Sequence, residues 1–446
     1  MALEAKKPIA KKRRRMLLVA AILSPFLLLG VVCGGWALYL RSRRLQVEER
    51  LSKLRAEALA AQQHVSKEEN ALTLYRRALD SHKEDALLGD LMERWQEQRE
   101  EFDFRSSDVR RYLEANREFL AALQKAAARA KFTFLEGADR TLWKPAEQDR
   151  YPALHRAIDY SIIATGNASA SGQFDRALRI QELMLRIGRH FGRDGTLLDI
   201  LMRSGAQGRA AVGLQRILSE CSPGFARLEK TLTAVEAALA EDPDFSRTIR
   251  LYRLSQMTVF AKALHGEETP DMPEDESFAQ YMTLLRMTGR GYDELHEMDR
   301  CYTRAAAIAE KPLPQALKEL NNLSDSVSST FGADTVGGGR MFTALALPAM
   351  VKCLHAAASR LAQLQAAQLG VGCRLFKLKT GAYPRTLSQL QAQFPEHFRT
   401  LPTDPFTGRD YGYKRTKTGC LLWSVGKDRT DEGGDVGSDV TFELKK

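Results

Sequence analysis

The sequence predicts a mainly α protein: an N-terminal transmembrane helix, an irregular helical array, and a small C-terminal α+β domain built from one long helix and short antiparallel strands. Three observations predict it. Residues 16–40, "MLLVAAILSPFLLLGVVCGGWALYL", run without a single charge. Apolar residues then recur at three- and four-residue spacing through most of the chain to about Leu378, which is the period of an amphipathic helix. Only near Tyr411, Tyr413, Leu421 and Trp423 do apolar residues alternate as strands require. At 446 residues the chain exceeds one ordinary core, so two or three domains are expected.

Residues 1–15 form a basic cytoplasmic tail, and residues 16–40 form a helix long enough to cross a hydrocarbon core of about 30 Å, with Trp36 and Tyr39 where an interfacial aromatic belt would lie. The run is too long for the apolar core of a signal peptide, so an uncleaved anchor is expected. Lys6, Lys7, Lys11, Lys12, Arg13, Arg14 and Arg15 precede it, which places the N-terminus in the cytoplasm and the bulk of the chain outside, on a bacterial inner membrane. The lipid bilayer is the partner of this segment. Nucleic acid is excluded as a partner. The net charge of +10 is concentrated in residues 1–44, with ten Lys or Arg against one Glu, and the remaining chain carries 56 basic and 55 acidic groups. A nucleic-acid binder needs that excess on its folded surface.

Residues 41–131 read as a helical stalk. Leu51, Leu54, Ala58, Ala61, Val65, Leu72, Tyr75 and Leu79 make a heptad-like stripe that could continue the membrane helix. Such a stripe serves either self-association through a coiled coil or packing onto the rest of the same chain, and the second reading is favoured. Residues 132–330 form the helical array, entered through a connector broken by Gly137, Pro145 and Pro152. Gly172, Phe174 and Ala177 resemble half of a tetratricopeptide hairpin, although no 34-residue period recurs. Residues 265–278 read as an exposed acidic loop. Gly337, Gly338 and Gly339 read as an interdomain hinge, because the Gly-Lys-Ser/Thr ending of a phosphate loop is missing.

Catalytic signatures are absent: there is no GxSxG, no HExxH and no GxGxxG after a strand. Asp293 and His296, one helical turn apart with Glu297 adjacent, are the best polar cluster; the spacing suits a carboxylate-bridged metal site, but no matching second turn is found, and a solvated helix face is the favoured reading. The six cysteines include no CxxC. Cys353 and Cys373 fall on one helix, about 30 Å apart at 1.5 Å per residue, and cannot pair. Cys373 and Cys420 could pair if the tail folds back; both could equally stay buried and reduced.

Residues 340–446 form the C-terminal domain. A spine helix is followed by Tyr383-Pro384, then Asp404-Pro405-Phe406 with Gly408, then Tyr411 and Tyr413, then Ser424 with Gly426 and Asp428, then Gly433-Gly434 and Asp439-Val440. This order resembles the C-terminal half of the major pseudopilin of type II secretion. That resemblance implies a loop wrapped around calcium, and Asp428, Asp431, Asp435 and Asp439 are the ligands it suggests. The composition agrees, because crowded carboxylates in a glycine-rich loop repel one another without a hard cation needing 6–8 oxygens, and a merely solvated loop is the equal alternative. The chain departs from that family at its start: the spine lies far downstream of the anchor, and the short leader with its Gly-Phe-x-x-x-Glu junction is missing. Taken whole, the chain also resembles membrane-anchored proteins of planctomycete-type bacteria, which implies location and architecture and no activity. The expected function is a non-enzymatic single-pass envelope protein, with a scaffold or partner-binding array and a calcium-stabilised tail; the alternative is a structural subunit of a type II secretion or pilus-like apparatus. An enzyme with its pocket near Asp293 and His296 is the third reading.

Overall fold

The computed structural model describes residues 7–60, 65, 66, 68–98, 101–133, 151–192, 196–267, 276–333 and 341–445, with side chains from Leu29 onward apart from Gly30 and a few other helical positions. The connector centred on Gly137 and Pro145, most of the acidic 265–278 loop and the glycine hinge lie outside the described residues. The first helix, α1 (Lys7–Ala60), carries the expected membrane segment and runs on without a break. Most side chains of residues 16–40 lie outside the described set, and among the described residues no helix is long and apolar enough to cross a membrane.

The expected stripe from Leu51 to Leu79 is interrupted. Helix α1 ends at Ala60, and a new helix, α2 (Leu72–Ser81), begins after a turn held by buried Asn70. The Asn70 amide donates to the Thr133 carbonyl at 2.9 Å and its oxygen accepts from Leu72 and Thr133 N–H groups, which ties the start of α2 to the segment at Thr133. Leu51, Leu54 and Ala58 pack against the same chain. Short helices α3 (Asp85–Glu97), α4 (Ser107–Ala115) and α5 (Arg117–Ala127) follow α2 in place of a stalk.

The array comprises α6 (Pro152–Ala170), α7 (Phe174–His190), α8 (Leu197–Glu220), α9 (Phe225–Ala240), α10 (Phe245–His265), α11 (Glu276–Thr288), α12 (Arg290–Ala309) and α13 (Leu313–Ala333). Helix α7 begins where the half-repeat places it, after Gly172 at φ +70°. The spine, α14 (Met341–Thr380), runs 40 residues with Pro348 inside it and packs on α8, α9 and α13. Two cores lie along it. One gathers α2–α9, the second half of α14 and the sheet; the other gathers α10–α13, the first half of α14 and Leu54 of α1.

After α14 come α15 (Ser388–Gln393) and the strands β1 (Gly412–Arg415), β2 (Cys420–Ser424) and β3 (Val440–Leu444), antiparallel in the order β1-β2-β3. Leu422 faces Tyr413 on one side and Phe442 on the other. The core face of β2 is Cys420, Leu422 and Ser424, leaving Leu421 and Trp423 on the outer face. The sheet lies on α14 and α8.

Candidate functional site

The tail is assembled around polar anchors that its sequence spaces out. Asp404 is almost fully buried; one carboxylate oxygen accepts from the Phe406 N–H at 2.7 Å and the other from the Val425 N–H at 2.9 Å. A single side chain thus shapes the Asp-Pro-Phe turn and ties it to the exit of β2. Tyr411 donates to the Gln365 side chain on α14 at 2.8 Å, and Tyr413 to the Pro384 carbonyl at 2.6 Å. Arg374 of α14, also buried, donates to Tyr383 and to the Leu218 and Cys221 carbonyls at the end of α8.

The acidic loop leaves β2 through Gly426, at φ +71°, where an added Cβ would sit 2.7 Å from the Ser438 carbonyl oxygen. Only glycine lets the outgoing and returning strands pass this closely. Gly434, at φ +87°, lets the loop fold over the outer face of β2, where a Cβ would meet Leu421 at 2.6 Å. The four carboxylates named from the sequence take different tasks. Asp428 accepts from the Thr430 N–H, Asp431 from the Trp423 indole at 2.7 Å and the Gly433 N–H, and Asp435 from the Gly437 N–H and Ser438 hydroxyl. Asp439 is buried: one oxygen accepts from the Gly434 and Asp435 N–H groups, and its Oδ1 has no partner.

Glu432, which the sequence reading passed over, reaches the Asp439 carboxylate. Loss of hydration, then the charges of Asp428 and Asp439, push its carboxyl above the ordinary range. Its neighbourhood of like charges was the available signal. Among the described residues no three His, Cys, Asp or Glu side chains converge closely enough to hold a metal ion by themselves. Backbone carbonyls would have to complete any cation site here.

The other polar cluster has a structural task. Asp293 pairs with Arg43 at 2.7 Å, and Asp299 with Arg50 at 3.0 Å, so the acidic face of α12 clamps α1. His296 lines a shallow open cleft with Tyr292, Arg50 and Asp299. Asp293 and His296 belong to a helix–helix contact in which Asp293 is already paired.

One comparison with known proteins bears on the tail. Residues 349–443 match the family model for type II secretion system (T2SS), protein G. The match covers most of α14, α15, β1, β2 and all of β3 but its last residue, the region in which the pseudopilin-like order of residues was read. It leaves the helical array unmatched. No curated protein and no solved structure matches the chain.

Proposed function

We propose that this chain is a non-enzymatic envelope protein, anchored in the inner membrane by residues 16–40, whose helical array binds a protein partner and whose pseudopilin-like tail joins it to a secretion or pilus-like apparatus. The tail's match to the T2SS protein G family supports the apparatus. The enclosure of α14 supports an accessory role over that of a repeating fibre unit. Leu364, Ala367, Leu369, Val371 and Leu375 are wholly buried against α8, α9 and the sheet, so the spine has no free apolar stripe along this length for a neighbouring copy. Light scattering of the full chain in detergent tests this. A monomer at every concentration is expected, and concentration-dependent polymers would end the accessory reading.

The acidic loop is proposed to hold calcium. Asp439 Oδ1 and Glu432 would supply the first carboxylate oxygens and Asp428 the next, with loop carbonyls completing the 6–8 oxygens this hard cation takes. Asp431 and Asp435 would keep the loop backbone folded around it. The support is a buried carboxylate oxygen without a partner beside a second carboxylate, a costly arrangement that a cation relieves. Thermal unfolding of the full chain with calcium and with chelator checks it. Binding to the folded state alone adds about 2.7 kcal/mol at 100 times Kd. A calcium-dependent rise lost in Asp439→Asn is expected; an unchanged midpoint at millimolar calcium would dismiss the ion.

A further inference from the structure

Two thiols meet where the sheet comes down on the spine. Cys373 lies in the last quarter of α14 and Cys420 opens β2; neither exposes any surface, and both belong to the core between the sheet and α14. Two glycines, Gly370 and Gly372, precede Cys373 and thin the helix surface there. A Cβ on Gly370 would sit 2.2 Å from the Phe442 ring of β3, and one on Gly372 would sit 2.4 Å from the Phe398 ring. Without side chains at 370 and 372, the sheet and the segment before it approach the helix backbone closely, as a disulfide requires of its two Cα atoms. The other thiols of the fold find acceptors of their own: half-buried Cys221 donates to the Ile217 carbonyl at 3.1 Å, buried Cys301 to the Glu297 carboxylate at 3.4 Å and Cys353 to the Leu197 carbonyl at 3.7 Å. All six cysteines are free in this structure.

We propose that Cys373 and Cys420 are a disulfide site that joins the spine helix covalently to the sheet. The two thiols give up two protons and two electrons to a disulfide-bearing oxidant, a protein or small-molecule disulfide. One sulfur–sulfur bond forms between Cys373 and Cys420, and the oxidant's own bond opens to a dithiol. Burial sets the timing. Desolvation first, and then the neighbouring Cys420 thiol, hold Cys373 well above its ordinary range, so the folded protein offers little thiolate to start an exchange. The bond therefore forms before the sheet closes over α14, and afterwards it lies out of reach of soluble reductants. The inference stands apart from the calcium and apparatus readings.

The test uses the full chain produced in an oxidising compartment, blocked with N-ethylmaleimide at lysis under denaturing conditions, digested and weighed. A linked peptide pair carrying Cys373 and Cys420, absent after reduction, is expected. Both residues found alkylated, or linked to other cysteines in preference, would overturn the proposal. Thermal unfolding adds a second readout. The oxidised chain should melt several degrees above the reduced one, and that gap should vanish in Cys420→Ala. A gap that persists in the variant belongs to some other bond and would also count against this pair.

Discussion

Carboxylates in the helical array and carboxylates in the tail loop meet different partners. Across the helical part of the chain, several carboxylates meet an arginine from elsewhere in the fold: Glu182 accepts from Arg227 and Thr231, Asp85 from Arg156, Asp299 from Arg50, and Asp242 from the buried Arg360. Charge is cancelled where helices cross. In the loop the carboxylates meet N–H groups, a serine hydroxyl, an indole and one another. Arg429, inside that loop, donates away from it to the Pro314 carbonyl. The same residue types therefore act as clamps in one region and as a negatively charged, self-capped turn in the other.

The clamp side is broken hardest at Arg374. Replacing it with alanine leaves the Leu218 and Cys221 carbonyls and the Tyr383 hydroxyl without their donor and opens a void, for a loss of about 4 kcal/mol in denaturant unfolding. Asp404→Ala comes next, because it strips the acceptor from two backbone N–H groups that fold the tail; about 2–3 kcal/mol is expected, and Asp404→Asn should cost less. The smallest change sharpens the contrast most. Glu432 has its folded-state carboxyl raised above the ordinary 4.5. Its ionisation therefore opposes folding: the stability it contributes is present below that value and is lost as pH rises through the folded one. Without calcium, Glu432→Gln should raise the midpoint slightly at neutral pH and flatten this slope. With calcium the order should reverse, since the variant gives up a proposed ligand. A variant indifferent to both would remove Glu432 from the site.

The spine and the tail were legible in the sequence because their signals are local. The helix expected over residues 340–378 runs over Met341–Thr380, and Asp404-Pro405, Gly426 and Gly433-Gly434 each sit where a turn needs them. The face of β2 was not legible, since "CLLWS" is apolar in both phases and only the docking of Cys420 and Leu422 onto α14 chooses between them. The break after Ala60 was hidden for a related reason. The apolar stripe continues through it, and the turn before α2 is held by a hydrogen bond from Asn70 to Thr133, 63 positions away. Likewise, Asp404 and Glu432 show their roles only once the loop has folded over the sheet.

The position of α14 in the chain governs how the protein must be built. Arg374 meets Leu218 across 156 positions, Arg360 meets Gln207 across 153, and Cys353 meets Leu197 across 156. As the chain emerges from a ribosome or a translocation channel, α6–α9 appear with their inner faces uncovered, and α10–α13 follow in the same condition. Neither core can close until the last quarter of the chain arrives, so the loop-closure entropy falls due late, with sticky helical surface already outside. A chain cut short before residue 341 would lack the wall common to both cores and would be a substrate for holding chaperones and proteases.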